Sequence, residues 1–307
     1  MNREREVDIV MATYNGARYV DEQLRSLCRQ THGMWRCLVH DDGSSDGTQD
    51  ILREWAAKDS RIMFIEDGVK GLGPAKHFLH ILRYSDAPWV MWADQDDIWF
   101  ENKIEKMLAC GEQAGFKGAG VVYANAALWC PEQGVLSGRN TLFYPTNLRD
   151  MLFLNSGIQG ASALFNGVMR EQLKTPLRAY AMHDHVLLLL ALTMGEIVYL
   201  DEALMYYRQH ESNVTGHQPG SRWKKVQLMW VNRHVPVVSR EHYEGTKAFY
   251  ECYRFQLRED DRQVIETYLR LPDYPWFKRF YVIYHTRFSL LGSRPILWIK
   301  LGIRRYI

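Results

Sequence analysis

Three carboxylates follow a short apolar run in the first third of the chain. Residues Trp89 to Ala93 are apolar, and Asp94, Asp96 and Asp97 come directly after them. A buried parallel strand is almost continuously apolar, and open α/β sheets bind ligands at the carboxyl ends of their strands. Acids this close repel one another unless a cation neutralises them, and carboxylate oxygens are ligands that Mg²⁺, Mn²⁺ and Ca²⁺ prefer. The pattern therefore predicts a divalent cation at the end of a strand.

Other interpretations of these acids are a solvated turn and a calcium loop. As a turn, the acids would cap a helix that begins near Glu101. A calcium loop beginning at Asp94 would place Ile98 and Trp99 where the motif requires an oxygen ligand and a glycine. A loop beginning at Asp42 would end at Arg53 instead of glutamate. Spacing therefore excludes both calcium loops.

Strand and helix patterns alternate through the first half of the chain. Apolar, β-rich runs predict strands, and the amphipathic stretches between them predict helices. The predicted strands cover residues 7–14, 35–40, 61–66 and 89–93. Pro74 marks the start of the third predicted helix. This alternation predicts an α/β fold with a doubly wound, mostly parallel sheet and helices on both faces.

The tips of these strands are the expected place for a nucleotide. No GxGxxG follows the first strand and no GxxxxGK[ST] occurs in the chain, which argues against dinucleotide dehydrogenases and P-loop enzymes. Asp42, at the end of the second predicted strand, is placed to accept hydrogen bonds from a ribose or base. Thr13 and Tyr14 would form the neighbouring wall. Asp42 also fits a turn residue that holds its own backbone, and the two roles are compatible.

Composition and charge limit the possible protein classes. The chain has 307 residues, is 47% hydrophobic and carries a net charge of +2. Residues 217–307 hold 17 Lys and Arg against 8 Asp and Glu, a balance of +9, so residues 1–216 carry −7. The five cysteines form no CxxC pair, which is typical of reduced thiols in a cytosolic protein. The charged start of the chain predicts no signal peptide, and the longest apolar run, 186–195, is too short for a membrane span.

Four motifs, in order along the chain, resemble the inverting glycosyltransferases of family 2, which have the GT-A fold. They are Val10–Gly16, His40–Thr48, Gly73 with Ala75, and Ala93–Trp99. The resemblance implies that Asp42 contacts the base of a nucleotide sugar. It also implies that the donor site includes further residues of these motifs, namely Ala12, Thr13, Tyr14, Asp94 and Gln95.

The same resemblance implies a divalent cation, Mn²⁺ or Mg²⁺, that bridges the diphosphate of the donor. Asp94 and Asp96 would form the DxD element that meets this cation and the ribose. Asp97 matches another acid of the motif, so which carboxylates touch the metal stays open. A clamped cation would stabilise the charge that develops on the leaving nucleoside diphosphate.

The second half is expected to supply the acceptor side and the catalytic base. Runs at 121–129 and 158–166 predict further strands, and the second resembles the family's strand beside the acceptor. Gly160 would permit close approach of a ligand or mark a bulge, with Ser162 beside it. Asp184 falls at the start of an apolar helix, where an N-cap is the simpler interpretation. The resemblance implies instead that Asp184 is the general base for the acceptor hydroxyl, with His183 near the acceptor.

The segment Tyr207–Gly216 resembles a stretch of the rhamnosyltransferase-like branch of the family. His210 would be a third metal ligand or a phosphate partner, and Arg208 would offset the diphosphate charge. A polar loop that closes the domain is the other interpretation. The chain lacks the QxxRW pattern of processive synthases, which favours the addition of single sugars.

The C-terminal region is expected to be helical, basic and rich in aromatic residues. Residues 274–307 contain seven Lys and Arg and no acid. Positions 277, 280, 281, 284, 288 and 291 predict an aromatic stripe on one helix face. Such a face suits an anionic membrane surface, although packing on the catalytic domain or on a second subunit fits as well. No nucleic-acid-binding module is recognised.

These observations predict a GT-A catalytic domain at 1–216, with a nucleotide-sugar half at about 1–115 and an acceptor half at about 116–216. Residues 217–307 would form a separate basic helical region. The expected activity is transfer of one sugar to a surface polysaccharide or lipid-linked glycan. The first candidate for that sugar is rhamnose, donated by dTDP-rhamnose. The expected location is the cytoplasm, peripheral to the inner face of the membrane. A UDP-hexose donor, a sugar nucleotidyltransferase and a non-catalytic nucleotide-sugar-binding protein are the rival hypotheses.

Overall fold

The computed structural model describes residues 3–155, 158–210 and 234–307. Its contacts divide the chain into two compact units, each assembled from three segments. The first unit is Met1–Leu142, Ile158–Pro176 and Gly195–Asn213, and the second is Phe143–Gly157, Leu177–Met194 and Val214–Ile307. The expected catalytic domain at 1–216 thus includes two segments that group with the C-terminal residues.

The first unit is built on one mixed sheet, which has nine strands in the described part of the chain. The strands are β1 Val7–Thr13, β2 Trp35–Asp41, β3 Ile62–Ile65, β4 Trp89–Ala93, β5 Ile98–Trp99, β6 Gly120–Cys130, β7 Gly134–Ser137, β8 Ala163–Asn166 and β9 Glu196–Arg208. Their order is β3-β2-β1-β4-β8-β6-β9-β5, with β7 paired to β6. The first four strands are parallel, as predicted, whereas β8 runs antiparallel to both of its neighbours. The doubly wound half is therefore followed by a mixed half.

Eleven α-helices lie in the described residues of the two units. They are α1 Val20–Cys28, α2 Thr48–Lys58, α3 Gly73–Ile81, α4 Lys103–Ala114, α5 Leu148–Met151, α6 Gly167–Leu173, α7 His183–Thr193, α8 Arg240–Tyr253, α9 Glu259–Arg270, α10 Trp276–Thr286 and α11 Arg294–Ile303. No helix among the described residues is both long and apolar enough to cross a bilayer.

The centre of the sheet is fully buried because its strands are apolar on both faces. Ile9 and Met11 of β1 and Met91 of β4 have no exposed surface, and Leu24 and Leu27 of α1 belong to the same core. Each such side chain contributes about 1.5–3 kcal/mol of transfer free energy on burial. This packing fixes the strands whose carboxyl ends carry the polar residues.

A buried acid fastens the start of β1. Asp8 has no exposed surface and accepts hydrogen bonds from Arg36 Nε at 2.7 Å and from Arg36 Nη2 at 2.9 Å. It also accepts from Ser85 Oγ at 2.8 Å and from the backbone N–H of Ala87 at 3.1 Å. The carboxylate therefore links β1 to β2 and to the segment that leads into β4.

The predicted strand at 158–166 is wrong in its first half. Gly160–Ser162 forms a 3₁₀ turn, and only Ala163–Asn166 is a strand. The carbonyl of Ala161 accepts a hydrogen bond at 2.6 Å from the buried ammonium of Lys103. The backbone at Ala161 therefore bonds to Lys103 and not to a neighbouring strand.

The predicted stripe on a single C-terminal helix is also wrong in part. α10 ends at Thr286, and Arg287 adopts a left-handed conformation with φ of 63°. Phe288 is fully buried and packs edge-on against Phe153, with ring centroids 5.3 Å apart. The exposed aromatic residues of this helix are Trp276, Phe277, Tyr281 and Tyr284.

Replacing Asp8 by Ala should lower the free energy of unfolding by about 2–4 kcal/mol. The change leaves buried N–H and O–H donors without acceptors and leaves Arg36 with only the exposed Asp86 as a counter-charge. Urea denaturation followed by circular dichroism measures the effect. Asp50→Ala is the matched control, because the Asp50 side chain is 80% exposed and should change stability by less than about 0.5 kcal/mol. Equal stability of the two variants would contradict the assigned role of Asp8.

Candidate active site

The acids that follow β4 lie at the carboxyl end of the central parallel strands. β4 pairs with β1 on one side and with β8 on the other. Asp94, Gln95 and Asp96 are partly exposed, whereas Asp97 is completely buried. The turn thus presents two carboxylates to solvent and turns a third into the core.

His210 contacts the second exposed acid. Its Nε2 atom lies 2.8 Å from Oδ2 of Asp96, and its ring stacks on Tyr19 with centroids 4.8 Å apart. His210 follows the end of β9, a strand that pairs with β5 just beyond the acidic turn. The structure therefore brings together two of the predicted metal ligands, Asp96 and His210. The rest of the rhamnosyltransferase-like stretch, 211–216, lies outside the described residues.

Arg208 binds the backbone of the acidic turn. Its Nε donates to the carbonyl of Asp96 at 2.8 Å, and its guanidinium pairs with Glu22. The guanidinium also lies over the Trp129 ring, 4.6 Å from its centroid, and only 4% of the side chain is exposed. Arg208 thus supports the backbone of the turn.

Asp97 and Lys103 are both fully buried, and their charges influence each other. Burial, together with the negative charges of Asp96 and Asp94, holds the pKa of Asp97 well above its usual range. Burial likewise lowers the pKa of Lys103 to about 7, although Asp97 opposes the shift. Oδ1 of Asp97 accepts from the backbone N–H of Arg208 at 3.4 Å, and its other oxygen has no partner among the described residues. Asp97 is thus an internal acid, while Asp94 and Asp96 are accessible.

This donor set fits a hard divalent cation. Carboxylate oxygens joined by one imidazole suit Mn²⁺ and Mg²⁺. Burial is the main cause of the raised pKa of Asp97, and the negative charges of Asp96 and Asp94, which a cation would offset, add to it. Asp94 and Asp96 do not belong to a closed set of three protein ligands within the described residues. A cation here would therefore need further oxygens, such as those of a diphosphate.

The two acids at the end of β2 have different tasks. Asp41 accepts from Thr13 Oγ1 at 2.9 Å and from the backbone N–H of Ser44 at 2.7 Å. Burial raises the pKa of Asp41, but these hydrogen bonds outweigh it and the pKa lies below its usual value. Asp42 accepts from the backbone N–H groups of Leu72 at 2.8 Å and Gly73 at 2.9 Å. Asp42 therefore holds a distant loop and not its own turn, which Asp41 holds instead. Thr13 is directed inward with 1% exposure.

Gln95 joins the tips of β1 and β4. Its Oε1 accepts from the backbone N–H of Tyr14 at 2.9 Å, and its Nε2 donates to the carbonyl of Tyr14 at 3.0 Å. The Tyr14 side chain is 57% exposed and Ala12 is half-buried. Gln95 thus positions the tips, and the exposed ring of Tyr14 is available to a ligand.

The expected acceptor residues of the first unit are enclosed. Gly160 and Ser162 lie in the 3₁₀ turn before β8, and both are buried, with Ser162 2% exposed. Neither residue presents an open surface in this arrangement. Their contact with an acceptor stays a prediction.

Asp184 belongs to the second unit and lies in the first turn of α7. The N-cap of that helix is Met182, so the simple N-cap interpretation of Asp184 does not apply. His183 and His185 on either side are buried, and every residue from Val186 to Thr193 is buried as well. Asp184 is the partly exposed polar residue at the start of an otherwise enclosed helix.

The flanking histidines are held neutral. Burial lowers the pKa of His183 to about 3 and that of His185 well below its usual value. The His185 ring packs edge-on against His242 of α8 at 4.9 Å, and burial lowers the pKa of His242 too. The two imidazoles therefore place little positive charge beside Asp184 near neutral pH.

The family model for glycosyl transferase family 2 matches residues 8–171. The chain belongs to glycosyl transferase family 2. The matched range covers β1 to β8 and the acidic turn, the elements that hold Asp42, Asp94 and Asp96. Most of the site described above thus lies inside the family's domain.

Relatives of this family 2 chain include three bacterial glycosyltransferases. A dTDP-rhamnosyl transferase RfbG of Shigella flexneri is 27% identical over 75% of this chain and 83% of its own length. The glucosyltransferase WfgD of Escherichia coli is 34% identical, and a putative teichuronic acid biosynthesis glycosyltransferase TuaG of Bacillus subtilis is 32% identical. The last two matches span about a third of this chain and 40% of the relatives.

Solved structures share the fold of this family 2 chain. S. aureus TarS in complex with UDP superimposes with a TM-score of 0.57 at 16% identity, covering 90% of this chain and 74% of TarS. The mannosyltransferase PcManGT of Pyrobaculum calidifontis, in complex with GDP-Man and Mn²⁺, gives 0.53 at 14% identity over 92% and 73%. The predicted GT-A fold with additional C-terminal helices is confirmed.

The buried histidines predict a loss of stability in mild acid. Because the pKa of His183 is about 3 in the folded state and about 6.5 when unfolded, the unfolded state binds more protons. Stability should fall as the pH drops below about 6.5, and His183 alone should cost about 2–3 kcal/mol at pH 4.5. Urea denaturation of the parent and of His183→Gln between pH 7 and 4.5 measures this. The variant should show the shallower decline, and parallel pH profiles would contradict the assignment.

Proposed function

We propose that this enzyme is a metal-dependent, inverting rhamnosyltransferase. It would move one rhamnose from dTDP-rhamnose to a surface polysaccharide or lipid-linked glycan. The observation that carries the proposal is the contact of His210 with Asp96 at the carboxyl end of β4, in the turn that also exposes Asp94. That arrangement suits a cation completed by the diphosphate of a nucleotide sugar.

The choice of donor rests on similarity along the chain. The rhamnosyl transferase relative aligns over three quarters of this chain, whereas the named glucosyltransferase aligns over 34%. The glucosyltransferase is 34% identical to this chain and the rhamnosyl transferase 27%, so a UDP-hexose is the alternative donor. A non-catalytic nucleotide-sugar-binding protein is a weaker alternative, because Asp94, Asp96 and Asp184 are all in place.

Residues of the first unit would bind the donor. Tyr14 would pack against the nucleoside, with Ala12 and Thr13 in the same wall, and Asp42 would reach the base while it holds the backbone of residues 72–73. Gln95 would hold the tips of β1 and β4 in register. Arg208 would act by bracing the turn.

A divalent cation held by Asp94, Asp96 and His210 would stabilise the charge on the leaving nucleoside diphosphate. Asp184 would accept the proton of the acceptor hydroxyl, since a sugar hydroxyl is a poor nucleophile until a base removes that proton. Because His183 and His185 are neutral, no imidazolium charge beside Asp184 opposes its role as a base. His183, Gly160 and Ser162 would contact the acceptor.

We assign residues 1–115 to the donor half and residues 116–216 to the acceptor half. Residues 217–307 would hold the enzyme on an anionic membrane surface. Within that region α10 exposes Trp276 by 72%, Phe277 by 62% and Tyr281 by 64%. Lys278 lies on the same helix, and residues 274–307 contain no acid. Exposed aromatic rings beside basic side chains suit the interface of an anionic bilayer.

Asp96→Asn should lower the rate of rhamnose transfer about 10²–10³-fold, because it removes a charged cation ligand. Asp184→Asn should lower it about 10²–10⁴-fold, because the amide cannot accept the proton. Product analysis with dTDP-rhamnose and a lipid-linked acceptor measures both. Asp50→Asn, on the exposed side of α2, is the matched control and should keep the parent rate. Folded Asp96→Asn and Asp184→Asn proteins that transfer sugar at that rate would contradict the proposal.

The double variant Phe277→Ser, Tyr281→Ser should bind anionic vesicles at least about tenfold more weakly than the parent, because two large apolar side chains no longer leave water on binding. Co-sedimentation with vesicles that contain phosphatidylglycerol measures this, with phosphatidylcholine vesicles as the uncharged comparison. Phe255→Ser is the matched control, because Phe255 is 84% exposed and lies outside α10. Equal binding of all three proteins would contradict the membrane assignment.

A further inference from the structure

A second group of potential metal ligands lies on the first unit, apart from the acidic turn. Among the described residues, it is the one set of three His, Cys, Asp or Glu side chains whose ligand atoms all lie within 4.8 Å of one another. Its members are His40 in β2, Asp67 after β3, and His80 in α3. Three separate elements therefore supply the group.

Both imidazoles direct the same nitrogen at one carboxylate. Nε2 of His40 lies 3.1 Å from Oδ1 of Asp67, and Nε2 of His80 lies 2.6 Å from Oδ2. The ring centroids of the two histidines are 5.2 Å apart. Two Nε2 atoms and a carboxylate form a donor set that suits zinc and other borderline transition metals. This set differs in kind from the hard oxygen-rich site at Asp94 and Asp96.

Neighbouring side chains make hydrogen bonds to the group of the kind that orient metal ligands. His40 uses its other nitrogen, Nδ1, to contact Nε2 of His77 at 2.8 Å. Nε2 of His77 can accept a hydrogen bond from Nδ1–H of His40 at this distance. That arrangement leaves the Nε2 lone pair of His40 free to bind a metal. Tyr84 Oη donates to Oδ2 of Asp67 at 2.7 Å and orients the carboxylate.

The group lies beside the loop that Asp42 holds. Asp67 begins this loop, and its Oδ1 accepts from the backbone N–H of Val69 at 2.9 Å. The loop ends at Leu72 and Gly73, whose N–H groups bind the Asp42 carboxylate. A metal at Asp67 would fasten one end of residues 67–73 while Asp42 fastens the other. Between these ends lies Lys70, which is exposed.

We propose that His40, His80 and Asp67 form a structural zinc site that pins residues 67–73 against β2 and α3. Zinc bonds of about 2.0 Å in a tetrahedral site place two ligand atoms about 3.3 Å apart. The side chains would draw together from their present spacing of up to 4.8 Å. Zinc would bind the two Nε2 atoms and an Asp67 oxygen in place of the direct contacts that they now make with one another. Solvent would supply the fourth ligand, because Asp67 lies at the surface.

The binding test uses full-length protein without a histidine tag, stripped with a chelator and dialysed. Zn²⁺ is titrated against a chromophoric chelator, and Co²⁺ is added separately to record its visible spectrum. The parent should bind one equivalent of Zn²⁺ and give the intense bands of tetrahedral Co²⁺. His80→Gln and Asp67→Asn should each weaken binding at least about 100-fold. Asp50→Asn is the matched control and should bind as the parent does, because the Asp50 side chain is 80% exposed and lies outside the group.

A second readout follows the loop itself. Zn²⁺ should slow tryptic cleavage after Lys70 at least about tenfold in the parent and leave cleavage of His80→Gln unchanged. Parent protein that binds no zinc, or His80→Gln and Asp67→Asn that bind it as tightly as the parent, would overturn the site. Zinc binding without protection at Lys70 would overturn its role in pinning the loop. Neither measurement involves sugar transfer, so the outcome is independent of the proposed activity.

Discussion

The crowding of negative charge at the end of β4 is the constraint on which the rest of the site depends. Asp94, Asp96 and Asp97 occur within four residues at the tip of β4, whose last four residues are buried. Three ionised carboxylates cannot share that space without compensation. The three acids differ in their surroundings: Asp97 is buried and its pKa is raised, whereas Asp94 and Asp96 stay accessible. His210 meets Asp96 from the end of β9.

The support of this turn comes from distant parts of the first unit. Arg208 holds the Asp96 carbonyl and pairs with Glu22 of α1, and Gln95 bonds the backbone of Tyr14 at the tip of β1. Lys103 lies beneath, with its ammonium on the Ala161 carbonyl. These contacts fix the accessible acids before any ligand arrives. Preorganised charges of this kind are the main means by which enzymes stabilise a charged leaving group.

The sequence predicted the first four strands and the acidic turn because continuous apolar runs and turn residues are strong local signals. It did not predict the division of labour between Asp41 and Asp42. Both acids are buried, and their roles differ because Asp41 accepts from Thr13 and Ser44, whereas Asp42 accepts from the backbone of Leu72 and Gly73. Glu22 and Lys103 were also missed, since each acts through a partner more than fifty residues away.

Other differences arise from tertiary packing. The carbonyl of Ala161 in the 3₁₀ turn Gly160–Ser162 accepts a hydrogen bond from the buried Lys103, a long-range contact that the strand pattern does not reveal. Periodicity placed Phe288 on the face of a single helix. Because the chain breaks after α10, Phe288 packs instead in an aromatic cluster with Phe153 and Tyr268. α7 carries Asp184 and groups with the C-terminal helices, although it precedes β9 in the chain. Local patterns cannot report such groupings, because long-range contacts determine them.

The most direct test of the central claim is nucleotide release from a panel of dTDP-, UDP- and GDP-sugars, with a lipid-linked acceptor present. Each donor is assayed with Mn²⁺ or Mg²⁺, with excess chelator, and with chelator followed by Mn²⁺ or by Zn²⁺. The account predicts release from dTDP-rhamnose, loss of release with chelator, and recovery with Mn²⁺ but not with Zn²⁺ alone. Release that is unaffected by chelator would contradict a cation at Asp94 and Asp96. Release from another donor only would contradict the rhamnose assignment.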